Sequence, residues 1–275
     1  IGDYAFADCG FADMTVMTMP ESIEYLGLSA LKGADTIEEI TVPFVGTIED
    51  DTVHTQFLDL FGGKANNIKK IVVLRGTKLG DAFFNFYSLE SLESVILPEK
   101  LQTIGGSTFA QLPNLKEMRI PDSVEYIGMH AFDSTELQSI VLSKNLKEIS
   151  EYAFYNTKIE NIDLPDTLIS IGEGAFSACS NLKNVIIPRS VKKIENAAFS
   201  GCENLSGINV ADGNTNYTSV DGVLYDKECK NIISVPGDLK GSLKIPEGIT
   251  SIGDSMFAHC KISEIEFPKT LQYIG

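Results

Sequence analysis

One frame of about 22 residues recurs along this chain, and a repeat of that length dictates a one-dimensional architecture before any single side chain is considered. Leu115, Met118, Ile120 and Pro121 are followed by Val124, Ile127, Gly128, Ala131 and Phe132. The same order returns as Ile159, Ile162, Leu164, Pro165, Leu168, Ile171, Gly172, Ala175 and Phe176, and again from Leu182 to Phe199. The Phe of successive A-F pairs falls at 132, 154, 176 and 199, intervals of 22, 22 and 23. A unit this short cannot bury an apolar side alone, so it stacks on its neighbours as a solenoid.

Within a unit, a segment such as LKEMRIP alternates apolar and polar residues near its end, which predicts a short strand with one buried face. Pro closes it. VEYIG carries a second apolar pair, and its Gly permits a tight bend. The A-F-x-x-C stretch is too short for a stable α-helix and reads as one helical or 3₁₀ turn whose Phe plugs the core. About eleven strand units begin near residues 14, 37, 68, 92, 115, 137, 159, 182, 205, 239 and 262. Stacked in parallel at ~4.8 Å, they span on the order of 50 Å. The whole of 1–275 is therefore read as a single solenoid. Its ends, IGDYAF and LQYIG, fall mid-frame, which reads as a piece of a longer protein. Two insertions interrupt the rhythm, near 44–67 and 211–238. In the second, Val223–Tyr225 and Asn231–Val235 flank a polar turn, the pattern of a β-hairpin. Insertions in solenoids form loops on one face and often mark binding regions.

The pattern L-x-x-I-x-I-P-x-x-V-x-x-I-G-x-x-A-F-x-x-C resembles the BspA-like leucine-rich repeats, also called the Treponema pallidum type. The units from Leu92 to Phe199 carry the match best, and NYTSVDGVLYDKECKNIISVP resembles an insert common in such proteins. Ala30-Leu31 stands in place of A-F, and Leu74, Ser143 and Ala211 stand in place of Pro. The resemblance implies a right-handed leucine-rich-repeat array of the horseshoe type. It further implies a secreted or cell-surface bacterial protein linked to adhesion and to binding host proteins, with no catalytic motif to carry over.

The net charge of −16, from 38 acidic and 22 basic side chains, argues against nucleic acid and against an anionic membrane surface. No apolar run approaches the ~20 residues of a membrane span. Cys9, Cys179, Cys202 and Cys260 each follow a frame Phe by three residues, where other units place Leu112, Thr135 and Thr157. They read as small buried residues, not as a disulfide framework. Cys229 lies outside the frame.

The search for chemistry fails at each candidate. Gly62 to Asn66 lacks the spacing of a phosphate loop, with Ala65 where the hydroxyl belongs. Asp212, Asn214 and Asn216 imitate the start of a calcium loop, but Tyr217 replaces the required Gly and Val223 the bidentate acid. His54, His130 and His259 lie far apart and read as solvated. No cofactor, metal or catalytic residue is assigned.

A surface remains. In each strand the residue between the two buried positions points outward. In chain order that row is Thr18, Thr41, Val72, Ile96, Arg119, Val141, Asp163, Ile186, Asn209, Lys244 and Glu266. Nothing in the core demands β-branched side chains there, although strands favour them anyway. The binding candidates are Val72, Ile96, Arg119, Val141, Asp163, Ile186, Asn209 and Lys244, a mixed apolar and polar strip on a concave face suited to a protein or peptide, such as a host surface or matrix protein. A surface-displayed adhesive interaction module is the leading expectation. A structural spacer presenting another domain is the second. Glycan binding through Tyr25, Tyr126 and Tyr273 is the third.

Overall fold

The structure is a computed structural model, and it describes residues 1–11, 13–50, 57–63, 65–82, 84, 89–253, 256–257 and 260–275. The chain winds through about 11 turns of a solenoid built on short parallel strands, with almost no helix. The first strands of neighbouring units pair in four separate parallel sheets. Val16–Thr18, Glu39–Val42, Lys70–Val73 and Ser94–Ile96 form a four-stranded sheet. Glu117–Arg119 pairs with Ser139–Val141, Asn184–Ile187 with Gly207–Val210, and Lys240–Lys244 with Lys261–Glu266, all parallel. Alternation then sends Ile40, Ile71, Val95, Met118, Ile140 and Val185 into the core.

A second row comes from the segment before the bend. Lys78–Leu79, Thr103–Ile104, Tyr126–Ile127, Glu148–Ile149, Ser170–Ile171 and Lys193–Ile194 form one six-stranded parallel sheet. Its inward residues, from Leu79 to Ile194, are buried opposite the first row. Gly128 follows its strand where a Cβ would stand 2.6 Å from the Gly105 carbonyl carbon. The bends of neighbouring units approach too closely for any side chain there.

The frame Phe residues fill the layer between. Phe84, Phe109, Phe132, Phe154, Phe176 and Phe199 stack in a column with ring centroids 5.1, 5.1, 5.1, 5.2 and 5.4 Å apart and interplanar angles of 15° or less. Each is buried. The stacking follows from the strand spacing: rings one rung apart lie at the distance that parallel π faces tolerate when offset.

The segments carrying these rings differ from the expected helical turn. Among the described residues the one 3₁₀ helix is Phe57–Phe61. The A-F segments are chains of β-turns in which the residues two before and two after the Phe are left-handed. His130 and Ser134 have φ of 56° and 55°, Tyr152 and Asn156 of 53° and 53°. Left-handed residues break helical hydrogen bonding and free alternate amides to bond the next unit. Thus Phe132 N–H donates to Ala153 C=O at 2.8 Å and Phe154 N–H to Ala175 C=O at 2.8 Å.

Both insertions fold. The 44–67 segment was expected as a surface loop. Instead Phe44, Val45, Phe57, Leu58, Leu60 and Phe61 are buried, and the Leu60 carbonyl accepts from Leu31 N–H at 2.8 Å. Its described apolar residues take the place of a Phe turn in the core; residues 51–56 and 64 lie outside the description. The 211–238 segment holds the expected hairpin, Val223–Asp226 with Ile232–Ser234, and adds Tyr217–Val220 as a third antiparallel strand. Asn214 pins its entry: Nδ2 donates to the carbonyls of Pro188 and Val191 at 2.8 and 3.1 Å, and Oδ1 accepts from Asn216 and Tyr217 N–H at 2.8 Å each.

Candidate functional site

The outward row is held in register by the sheets beneath it. Thr18 pairs with Thr41, Thr41 with Val72 and Val72 with Ile96. Arg119 pairs with Val141, Ile186 with Asn209 and Lys244 with Glu266. Ile96, Val141 and Ile186 are 49%, 53% and 60% exposed, while Val72 is half-buried. Arg119, Asp163, Asn209 and Lys244 are exposed. The register read from the alternation is therefore the one observed, with one exception in regularity: Asp163 sits in backbone with no strand pairing between the Ser139–Val141 and Asn184–Ile187 strands.

The charges on this face are partly neutralised. Lys244 Nζ lies 2.7 Å from Glu266 Oε1 across two adjacent strands, and both are well exposed. Lys70–Glu39 at 3.1 Å is a cross-strand pair two residues before the outward row, and Lys69–Glu38 at 2.9 Å and Lys183–Glu160 at 2.6 Å bridge neighbouring units three residues before it. Such exposed pairs contribute little to stability, but they set the local sign of the field. The row thus offers a β-branched side chain at Ile96, Val141 and Ile186, with Arg119 and Asp163 between them.

The second sheet carries its own outward row, of which the sequence analysis singled out only the tyrosines, Tyr126 among them. Tyr126, Glu148, Ser170 and Lys193 border a shallow groove of about 520 Å³ with exposed Met129 at its edge. The two-residue alternation of YI, EI, SI and KI was the available signal. Tyr126 is flanked in register by Thr103 and Glu148, and Tyr273 by Ser251, so the tyrosines proposed for glycan stacking form no continuous platform.

His130 was expected to be solvated, and its side chain is 35% exposed rather than free on every side. It is instead stacked on Tyr152, 5.1 Å between centroids at 10°, with Nδ1 2.8 Å from Asp133 Oδ2. The left-handed backbone at both residues lays the rings over one another. His54 and His259 lie outside the described residues. Among those described, no group of three His, Cys, Asp or Glu could hold a metal ion. Asn214 spends its amide on the backbone, so the calcium-like Asp212, Asn214 and Asn216 do not converge. The Gly62–Asn66 stretch lies partly outside the description.

Cys179 and Cys202 are buried as expected, each Sγ donating to the carbonyl of the preceding unit's Phe at 3.0 and 3.1 Å. Burial pushes the Cys179 thiol up to about 11 and raises Cys202 well above its ordinary value. Cys9 departs from the expectation and is exposed, and Cys260 is half-buried. All five cysteines are free thiols.

A family profile described as "BspA type Leucine rich repeat region" matches residues 1–56, 77–206 and 238–275, in six copies. Among solved structures, a leucine-rich repeat protein from Eubacterium ventriosum is 23% identical, with a TM-score of 0.61 over 76% of this chain and 50% of that one. A leucine rich cell surface protein from Faecalibacterium prausnitzii is 20% identical, with a TM-score of 0.59 over 96% and 66%. The pneumococcal vaccine antigen PcpA is 22% identical, with a TM-score of 0.50 over 96% and 57%. The chain spans roughly half to two-thirds of these structures, and the likeness establishes the fold. No curated protein matches the sequence.

Proposed function

Because the chain belongs to the BspA-type leucine-rich-repeat family, we propose that it is a non-catalytic protein-interaction module displayed at a bacterial cell surface, with adhesion to a host surface or matrix protein as its role. The observation that carries this reading is the register-held outward row, in which exposed Ile96, Val141 and Ile186 stand where the core asks for nothing apolar. Apolar anchors spaced along a rigid sheet and separated by Arg119 and Asp163 suit an extended partner that buries side chains at intervals and satisfies charges between them. Surface location is supported by the cell-surface protein among the similar structures. No described helix is long and apolar enough to cross a membrane.

The test is binding to immobilised host matrix proteins by the chain and by the triple variant Ile96→Asp, Val141→Asp, Ile186→Asp. Loss of binding with unchanged circular dichroism and urea midpoint is the expected result. Undiminished binding by the folded variant would move the site off this row.

A further inference from the structure

The exposed apolar members of the outward strand row fall on every second rung. One rung, carrying Arg119, separates Ile96 from Val141, and one, carrying Asp163, separates Val141 from Ile186. The rungs stay stacked even where strand pairing lapses. Glu160 N–H donates to Gln138 C=O at 3.4 Å, and Lys183 N–H to Glu160 C=O at 3.0 Å. The Phe rings of the same units lie 5.1, 5.1, 5.2 and 5.4 Å apart. Strands in such a stack are ~4.8 Å apart, so one apolar anchor follows the next at ~9.6 Å.

That interval selects a backbone for whatever lies along the row. A β-strand repeats its facing side chains at ~6.7 Å and is out of step by the second anchor. Helix residues seven apart repeat at ~10.5 Å, and two such intervals overshoot the row by ~2 Å. A polyproline II segment has three residues per turn and a rise of ~3.1 Å, so every third side chain faces the row at ~9.3 Å. Its backbone carbonyls carry no internal hydrogen bond and need donors. Ser139 and Asn184, two residues before Val141 and Ile186 on the same strand face, are exposed and supply them. Asn184 Oδ1 accepts from Ser206 Oγ at 2.9 Å, so its Nδ2 remains a donor.

Charge complementarity fixes the positions between the anchors. Arg119 and Asp163 are exposed, and neither is in a salt bridge among the described residues. Resting on the outward row as the binding face, we infer that its partner is a polypeptide segment in polyproline II conformation with an apolar side chain at every third residue. An acidic side chain lies between one pair of these anchors and a basic one between the other. The acid meets Arg119 and the base meets Asp163. A segment of the opposite order meets them by running the other way along the row.

The probe is the acetylated, amidated nonapeptide PLPELPKLP, titrated into the full chain with the methyl groups of Ile96, Val141 and Ile186 observed by NMR. All three should shift together. The isomer PLELPKPLP sets its leucines two and four residues apart, and should bind roughly tenfold more weakly because an anchor is lost. Asp163→Arg, at an exposed position off the core, should bind PLPELPELP more tightly than PLPELPKLP, the reverse of the parent's order. Arg119→Glu should prefer PLPKLPKLP in the same way. Equal binding of the two isomers would overturn the inference, as would silence at the three methyls or an unchanged charge preference in both variants. The triple variant Ile96→Asp, Val141→Asp, Ile186→Asp separates this from the adhesion reading. If it loses matrix-protein binding while the parent does not distinguish the peptides, this inference fails and that reading stands. If the parent selects the peptides as described while the triple variant keeps matrix-protein binding, the adhesion reading fails and this inference stands.

Discussion

Phe154 sits between Phe132 and Phe176 at ring separations of 5.1 and 5.2 Å and is fully buried. Phe154→Ala should cost about 3–5 kcal/mol, since the rigid rungs on either side limit collapse of the cavity. Urea denaturation checks this, and a loss below about 1 kcal/mol would contradict the column as a core element. The frame cysteines report on pH. Between pH 9 and 11 the thiol of Cys179 ionises in the unfolded chain, at its ordinary value of 9.0, but stays protonated in the folded one, where burial pushes it up to about 11. The unfolded state then binds fewer protons, so stability falls as pH rises through that window. Cys202 shifts in the same direction. Cys179→Thr should fold, because Thr135 and Thr157 fill the same frame position and Thr135 Oγ1 donates to Phe132 C=O at 3.0 Å. The variant's urea midpoint should fall less than the parent's between pH 9 and 11. At neutral pH a thiol reagent should label Cys9 at once and leave Cys179 and Cys202 untouched until denaturant is added. The frame positions of the cysteines and the burial of Cys179 and Cys202 were legible in the sequence, but the exposure of Cys9 was not. Cys9 occupies the same frame position as Cys179 and is nonetheless exposed.

At the scale of the element, the Phe turn is where sequence and structure part. A-F-x-x-C reads as one helical turn, and the backbone instead alternates through left-handed residues that are mostly not glycine: His130, Ser134, Tyr152, Asn156 and Ala178. Non-glycine residues carry no signature of that conformation, which the inter-unit hydrogen bonds impose once neighbours are stacked. Ser134→Val should therefore destabilise by roughly 1–2 kcal/mol, since a β-branched side chain tolerates positive φ poorly, and Ser134→Gly should be near neutral. Gly174 offers a sharper case. It is left-handed at φ 56°, and a Cβ there would stand 2.4 and 2.7 Å from Cε1 and Cδ1 of the Tyr152 ring. Gly174→Ala should destabilise the chain, and Tyr152→Ala in the same molecule should recover part of the loss. Thermal melts of the two single variants and the double variant would measure that non-additivity.

At the scale of the whole molecule, the core divides at the inserted sheet. One buried cluster runs from Met19 to Leu224 and a second from Val223 to Ile252, meeting on the Val223–Asp226 strand. A solenoid transmits stability only between adjacent units, so a weak junction limits cooperativity. Ile249→Ala, in the second cluster, should lower amide protection across 240–275 and leave Phe154 and Phe176 protected. A uniform loss along the chain would argue for a single cooperative unit.

The repeat by itself determined the period, the parallel stacking, the buried Phe column and the direction of each strand side chain, because periodicities of 22 and of 2 are local facts written in residue order. It also marked where the rhythm breaks. Only the tertiary structure decided what the breaks become. The Phe57–Phe61 part of the 44–67 segment enters the core because Phe57 and Leu60 find buried places beside the Leu31 turn, whereas the 211–238 segment folds as a three-stranded antiparallel sheet packed against the Gly207–Val210 strand. Such outcomes rest on how distant units meet, and hydrogen-bond satisfaction between units is set by that meeting and not by any single segment.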